Sequence, residues 1–195
     1  MALIRLYMTM SLDGYVTGPQ DSPENPMGIG GFRLFNWLDR RGDPGPSGQV
    51  YTEVMATRAV ISGRRTYEHA DRWQGDHHGG VPVFVLTHNV PDDPPPGSVR
   101  YVTDVRECAS QARAAAGDGD VMVHGAGAAQ ALLRAGQLDE LELHVVPVLL
   151  GQGRRLFDQL PAEHIELDPV RRLTTPQVED LAQHVTHMRY RIRRP

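Results

Sequence analysis

Lysine is absent from this chain, and all twenty of its basic side chains are arginines. No amine can form a Schiff base with a carbonyl substrate, which removes that class of covalent mechanism. Cysteine occurs once, at Cys108, so no disulfide can form within the chain. No apolar run approaches the eighteen or so residues that a membrane helix needs. Residues 1–10 carry no secretory-signal pattern, and the expected compartment is a reducing cytoplasm. A broad basic field is missing too. With 24 acids the formal charge is -4, so neither nucleic acid nor membrane is expected as a partner, and the ligand is expected to be a small molecule. The G-x-S-x-G elbow of serine hydrolases is not found. What remains, 195 residues of which 40% are hydrophobic, suits a single domain over residues 1–195 with a sizeable core.

The organising stretch is V-M-V-H-G-A-G-A-A-Q-A-L-L-R-A-G, residues 121–136. Val121, Met122 and Val123 read as a strand, Gly125 and Gly127 as a turn, and Ala128, Ala129, Leu132 and Leu133 recur at helical spacing up to Gly136. The first N–H groups of a helix have no partner within it and carry the positive end of its dipole, so such a turn can cradle a phosphate. The plainer reading is a strand-to-helix turn whose glycines supply positive φ. A Rossmann fingerprint it is not: Gln130 stands where the third glycine belongs, and no acid ends a strand about twenty positions on.

The same plan occurs at residues 56–68, where Ala59, Val60 and Ile61 read as a strand, Gly63 as the turn and Thr66 as the opening of a helix. Arg64 and Arg65 there suit a phosphate, which guanidinium grips in a bidentate fork. Further strands are expected at 3–10, 81–86, 99–102 and 138–150, the last ending in the core, with two more between 164 and 194. A helix is expected near 49–56, and another begins at Asp104 with Glu107 in capping-box spacing and ends at Gly117 with Cys108 in its core face. Residues 19–31 form a Gly- and Pro-rich lid-like loop, and residues 90–97 a stiff one. Phe35 and Trp37, in a short amphipathic piece, are candidates to line a pocket. Strands alternating with helices imply an α/β, mostly parallel sheet covered on both faces, with an antiparallel pair at the C-terminal end.

Nine histidines invite a metal reading, but none is expected: His77 and His78 should point apart, and His184 and His187 fall on opposite faces of a strand. His124 ends a strand beside the glycine turn, at the carboxyl edge where open α/β sheets bind ligands. Asp13, just after the first strand, is the carboxylate to watch. These two are the catalytic candidates.

Three separated segments, M-S-L-D-G-Y-V-T-G at 10–18, G-R-R-T-Y-E at 63–68 and V-H-G-A-G-A-A-Q at 123–130, resemble dihydrofolate reductase-like proteins. The fit is nearest the reductase domain of bifunctional riboflavin-biosynthesis enzymes, whose late strand and glycine loop resemble residues 139–157. The resemblance implies a three-layer fold on a central sheet of about eight strands, mostly parallel with an antiparallel C-terminal strand. It also implies NADPH as hydride donor. On it, Gly63, Arg64, Arg65 and Thr66 would hold the 2′-phosphate and pyrophosphate, and Leu86, Thr87 and His88 would flank the adenosine. His124, Gly125, Ala126, Gly127, Ala128 and Ala129 would cover the pyrophosphate and nicotinamide half, with Val16 and Thr17 closing over the nicotinamide. The acceptor would be a small flat heterocycle, imine or carbonyl. A flavin or deazaflavin carrier, or a nucleotide-binding protein without turnover, is the alternative. Residues 31–38 lack the acid by which folate-reducing members hold a pteridine, and no deaminase domain is expected beside this one, so the substrate stays open. A homodimer is expected through part of residues 145–157, with the late strand placed near the sheet edge.

Overall fold

The first strand, β1 (Ile4–Ser11), alternates Ile4 and Leu6 on one face with Arg5, Tyr7 and Thr9 on the other, and nearly all of it is buried. Both faces are covered because β1 lies in the middle of an eight-stranded sheet in the computed structural model, which describes residues 2–92, 99–158, 160, 164–175 and 181–194. After β2 (Tyr15–Thr17) come β3 (Ala59–Gly63), β4 (Val83–Leu86), β5 (Val99–Val102), β6 (Val121–His124), β7 (Glu140–Val146), β8 (Arg154–Arg155), β9 (Leu167–Thr174) and β10 (Thr186–Ile192). The sheet order is β5-β4-β3-β6-β1-β7-β10-β9. Its first six strands are parallel, and β10 runs antiparallel to both neighbours. β2 and β8 form a small separate antiparallel sheet.

Helices α1 (Pro46–Met55), α2 (Arg64–His69), α3 (Val105–Ala116) and α4 (Ala126–Arg134) complete the layers. Small residues on α3 and α4, among them Cys108, Ala109, Ala112, Ala128 and Ala129, pack on the face with Ile4 and Leu6. A 3-10 helix, Gly31–Arg40, and α1 cover the opposite face through Leu34, Trp37 and Val50. Asp104 caps α3 by accepting from the N–H groups of Arg106 and Glu107. α1 starts earlier than its periodicity suggests because Pro46 stands at its first turn, where a missing N–H costs nothing.

Two expectations fail along β7. The strand stops at Val146, and Leu149 beyond it is 71% exposed, so its far end does not run on into the core. Pro147 cannot donate to the ladder, and the chain folds back with Val148 N–H bonded to the Val146 carbonyl at 2.8 Å. Nor is β7 near an edge, since β1 and β10 flank it. Most of the 90–97 loop lies outside the described residues.

On the face under α1 and the 3-10 helix, three polar rungs cross β1, β7 and β10 in register: Arg5–Glu140–Arg191, Tyr7–Glu142–Arg189 and Thr9–His144–His187. Arg171 of β9 and Glu53 of α1 join the middle rung. Burial works against ionised Glu53, but hydrogen bonds from Arg171 and Arg189 outweigh it and hold its carboxyl down to about 2. A folded-state value below the ordinary 4.5 means that the pairing stabilises above that pH and is lost as pH falls toward 2. Thermal melts are therefore expected to drop through this window, and less steeply in Glu53→Gln. Identical profiles would contradict the assignment.

Candidate active site

The carboxyl ends of β3, β6 and β1 open on one cavity of about 1820 Å³. The two glycine turns meet in its wall. A Cβ on Gly63 would stand 3.6 Å from the Ala128 nitrogen, and one on Gly125 only 2.3 Å from Thr66 Oγ1. Gly125 also has φ 95, a conformation that favours glycine. Gly127 does not: it lies in the first turn of α4 without positive φ, and nothing stands within 4 Å of where its Cβ would be, so the fold itself makes no demand for glycine there. No side chain caps α2 or α4, in contrast to α3, so their leading N–H groups are left for another acceptor. An empty space above α4 beside uncapped N–H groups and arginines fits a dinucleotide's phosphates.

Arg64 bonds Glu68 at 2.7 Å, and Arg65 bonds Asp21 at 3.0 Å. Arg154 reaches the same Asp21 at 3.4 Å. Burial disfavours the Asp21 charge, but Arg65 and Arg154 overcome this and keep its carboxyl below the ordinary range. Asp21 belongs to the 19–31 loop, whose base is pinned by Gly18 N–H to Met27 O and Ile29 N–H to Pro19 O. The loop thus lies against the arginine cluster and forms a wall of the cavity.

Val16, Thr17, Gly63, Arg64, Arg65, Thr66, Leu86, Thr87, His88, His124, Gly125, Ala126, Gly127 and Ala128 all line this cavity, as do Phe35 and Trp37. Ala129 is in the core behind it. Asp13 is not in the wall either. Its carboxylate accepts from Ser11 Oγ at 2.5 Å and from the N–H groups of Leu150 and Gly151, and these bonds, Ser11 first, hold it at about 2. Its role is to tie the β1 turn to the late glycine loop.

The other end of the cavity is aromatic. Four successive residues, Asp71 to Gln74, have φ between 48 and 54, a single left-handed turn. Such a turn costs roughly 1–2 kcal/mol per residue, and strain of this kind gathers at functional sites. It sets Trp73 4.5 Å from the His77 ring and 6.0 Å from that of His124. His77 and His78 do not point apart. Their Nδ1 atoms are 2.7 Å from each other. His124 donates from Nδ1 to the Tyr7 carbonyl at 3.2 Å, which leaves Nε2 as an acceptor. Burial lowers His124 to about 4, and burial with the neighbouring His124 and His78 lowers His77 to about 3, so both rings are neutral at pH 7. Among the described residues no group of three or more His, Cys, Asp or Glu is placed to hold a metal. Sequence reasoning missed Asp21, Trp73, His77, His144 and Arg154 in this wall; the R-R of residues 154–155 was the one local signal for any of them.

Solved structures that share this fold include the following two. A protein of Shewanella sp. PV-4 named for riboflavin biosynthesis is 22% identical with a TM-score of 0.70, each chain fully covered. Dihydrofolate reductase from Enterococcus faecalis, solved with NADP(H) and RAB-propyl, is 15% identical with a TM-score of 0.63 over 97% of this chain and 96% of that one. No curated protein matches the sequence. The model of the RibD C-terminal domain family matches residues 2–185, and the chain belongs to that family.

Proposed function

We propose that the protein is a reductase that uses NADPH to reduce a small, flat, uncharged heterocycle or a related imine or carbonyl. The observation that carries the reading is the joining, in one cavity, of two abutting and uncapped glycine turns with an arginine cluster at one end and an aromatic chamber at the other. The E. faecalis neighbour was solved with NADP(H), which supports the choice of dinucleotide. When bound, the cofactor supplies a hydride. The first turns of α2 and α4 hold its phosphates, Arg64 and Arg65 offer charge to the 2′-phosphate, and Val16 and Thr17 close over the nicotinamide. Trp73, His77 and His124 wall the acceptor with neutral rings, and Phe35 and Trp37 keep water away. The protein's share is alignment and exclusion of solvent. Loss of NADPH absorbance with pterins, pyrimidinediones and quinones, set beside equilibrium binding, tests the reading. Binding without turnover across the panel would favour a non-catalytic nucleotide-binding role.

NADPH is expected to bind more tightly than NADH, which lacks the 2′-phosphate. A charged hydrogen bond contributes about 1.5–3 kcal/mol, roughly ten- to a hundredfold in affinity. Equal dissociation constants would refute the arginine assignment.

We also propose a homodimer. Its interface draws on residues 145–157, where Leu149 stands 71% exposed. The β9 edge is a poorer surface for pairing, since Pro169 and the arginines there block strand addition. Light scattering should give twice the 21.6 kDa of one chain, and Leu149→Arg should shift it toward one chain. A wild-type mass near 21.6 kDa would overturn the proposal.

A further inference from the structure

Of the three polar rungs, only the third is built of imidazoles. Residues directly opposed on an antiparallel pair bring their side chains together, and here His144 Nδ1 and His187 Nδ1 are 2.9 Å apart. His187 Nε2 lies 3.3 Å from Ser47 Oγ, in the first turn of α1. Ser47, with Arg40, Asp43 and Thr175, lines a second, smaller cavity, while His144 lines the main one. Trp37 clamps the file: its ring sits 4.8 Å from His144 and 5.0 Å from His187, and its indole N–H donates to Thr9 Oγ1. Ser47, His187 and His144 are buried, so the contacts join the two cavities through the protein.

An Nδ1-to-Nδ1 contact between neutral rings requires one ring to carry its hydrogen on Nδ1 and the other on Nε2. With His187 as the Nδ1–H tautomer, its bare Nε2 accepts the Ser47 hydroxyl. His144 is then the Nε2–H tautomer, and Nε2, which makes no hydrogen bond to a described residue, is the nitrogen left for the cavity. We propose that Ser47, His187 and His144 form a neutral proton relay, which delivers from the smaller cavity the proton that must accompany each hydride taken up by the substrate. The relay rests on the reductase reading above.

In the step, the N–H bond at His144 Nε2 breaks as an N–H or O–H bond forms on the acceptor's heteroatom. The His187 Nδ1 proton passes to His144 Nδ1, the Ser47 hydroxyl proton passes to His187 Nε2, and water in the smaller cavity reprotonates Ser47. One solvent proton is consumed per hydride, and no electrons travel through the file. Once product leaves, water in the open main cavity protonates His144 Nε2, the His144 Nδ1 proton returns to His187 Nδ1, and the His187 Nε2 proton leaves through Ser47 to the smaller cavity, which restores the starting tautomers. No cation accumulates on the way. Arg189 of β10, Arg171 of β9 and His124 of β6 face His144 with positive or titratable groups, while Glu142 of β7 and Glu53 of α1 are spent on the arginines and Tyr7 of β1 lies 6.4 Å off. Burial first, and then these neighbours, keep His144 well below its ordinary range; burial and Arg171 hold His187 to about 4.

Long-range proton–nitrogen correlation spectra of the whole protein, labelled with 15N-histidine, test the wiring without substrate. Between pH 5.5 and 8, His187 should appear as the neutral Nδ1–H tautomer and His144 as the neutral Nε2–H tautomer. A charged ring at pH 7, or two Nε2–H tautomers, would overturn the relay while leaving NADPH binding untouched. With whichever pterin, pyrimidinedione or quinone turns over, Ser47→Ala should lower kcat at least tenfold and change its solvent deuterium isotope effect. The Kd for NADPH should stay the same, and Ser47→Thr should restore turnover. An Ser47→Ala enzyme with wild-type kcat and isotope effect would show that the imidazoles only fill space. Failure of the protein to bind NADPH at all would instead bring down the reductase reading, and the relay's use with it.

Discussion

Replacing Gly127 by valine is expected to abolish NADPH binding, by at least a hundredfold in Kd, while leaving the melting temperature within a degree or two of wild type. The two halves of this outcome have separate causes. Nothing lies within 4 Å of the Gly127 Cβ position, and the residue is in ordinary helical backbone, so a side chain there meets no protein atom. Valine in place of glycine within a helix even gains slightly in propensity. What the side chain does fill is the space above the uncapped start of α4, where a pyrophosphate must come within hydrogen-bond reach of the N–H groups. Gly125→Val makes the contrast. It has φ 95 and would place its Cβ 2.3 Å from Thr66 Oγ1, so this variant should lose stability as well as binding. Isothermal titration alongside thermal melts separates the two. A folded Gly127→Val protein that binds NADPH as well as wild type would remove the cradle from this turn.

The wall of the cavity made by the two glycine turns was legible because its signals are local. A glycine turn, the helix it opens and a neighbouring Arg pair all fall within about one helical turn of sequence, and Gly63, Arg64, Arg65 and Gly125 stand where those patterns put them. Arg154 was not legible, since it enters only through the pairing of β8 with β2 across the chain. Trp73 was hidden for another reason: no composition rule foretells four non-glycine residues in a left-handed turn. The sequence of β7, E-L-E-L-H-V-V, misled in a third way. Alternation ordinarily means one wet face, but α1 and the 3-10 helix cover that face, and Glu140, Glu142 and His144 are all buried there. Their partners Arg5, Arg171, Arg189 and His187 lie on other strands, so the pattern alone could not tell a solvated edge from an internal ladder.

That ladder is where the largest loss of stability is expected. Glu142 is fully buried and accepts hydrogen bonds from Arg171 at 3.2 Å and from Arg189, while Glu53 takes the other arms of both guanidinium groups at 2.6 Å. Arg171 Nε, buried nearby, has no partner among the described residues, so the cluster has no spare acceptor to take up a displaced donor. Glu142→Leu leaves two half-buried cations sharing one carboxylate. Breaking a buried pair from one side costs about 3–5 kcal/mol, because the remaining charge stays desolvated without compensation. For a domain of this size that is roughly 6–20 °C in Tm. Urea unfolding should show the change in midpoint with an unaltered slope. Replacing the cluster as a whole works differently, since apolar side chains of similar volume remove both the attraction and the desolvation cost. Glu142→Leu combined with Arg171→Met and Arg189→Met should therefore recover most of the loss, with Glu53 left at the edge of the group where water reaches it. A single Glu142→Leu variant within 1 kcal/mol of wild type would mean that the guanidinium groups reach solvent, and that the ladder contributes little to holding β7, β9 and β10 together.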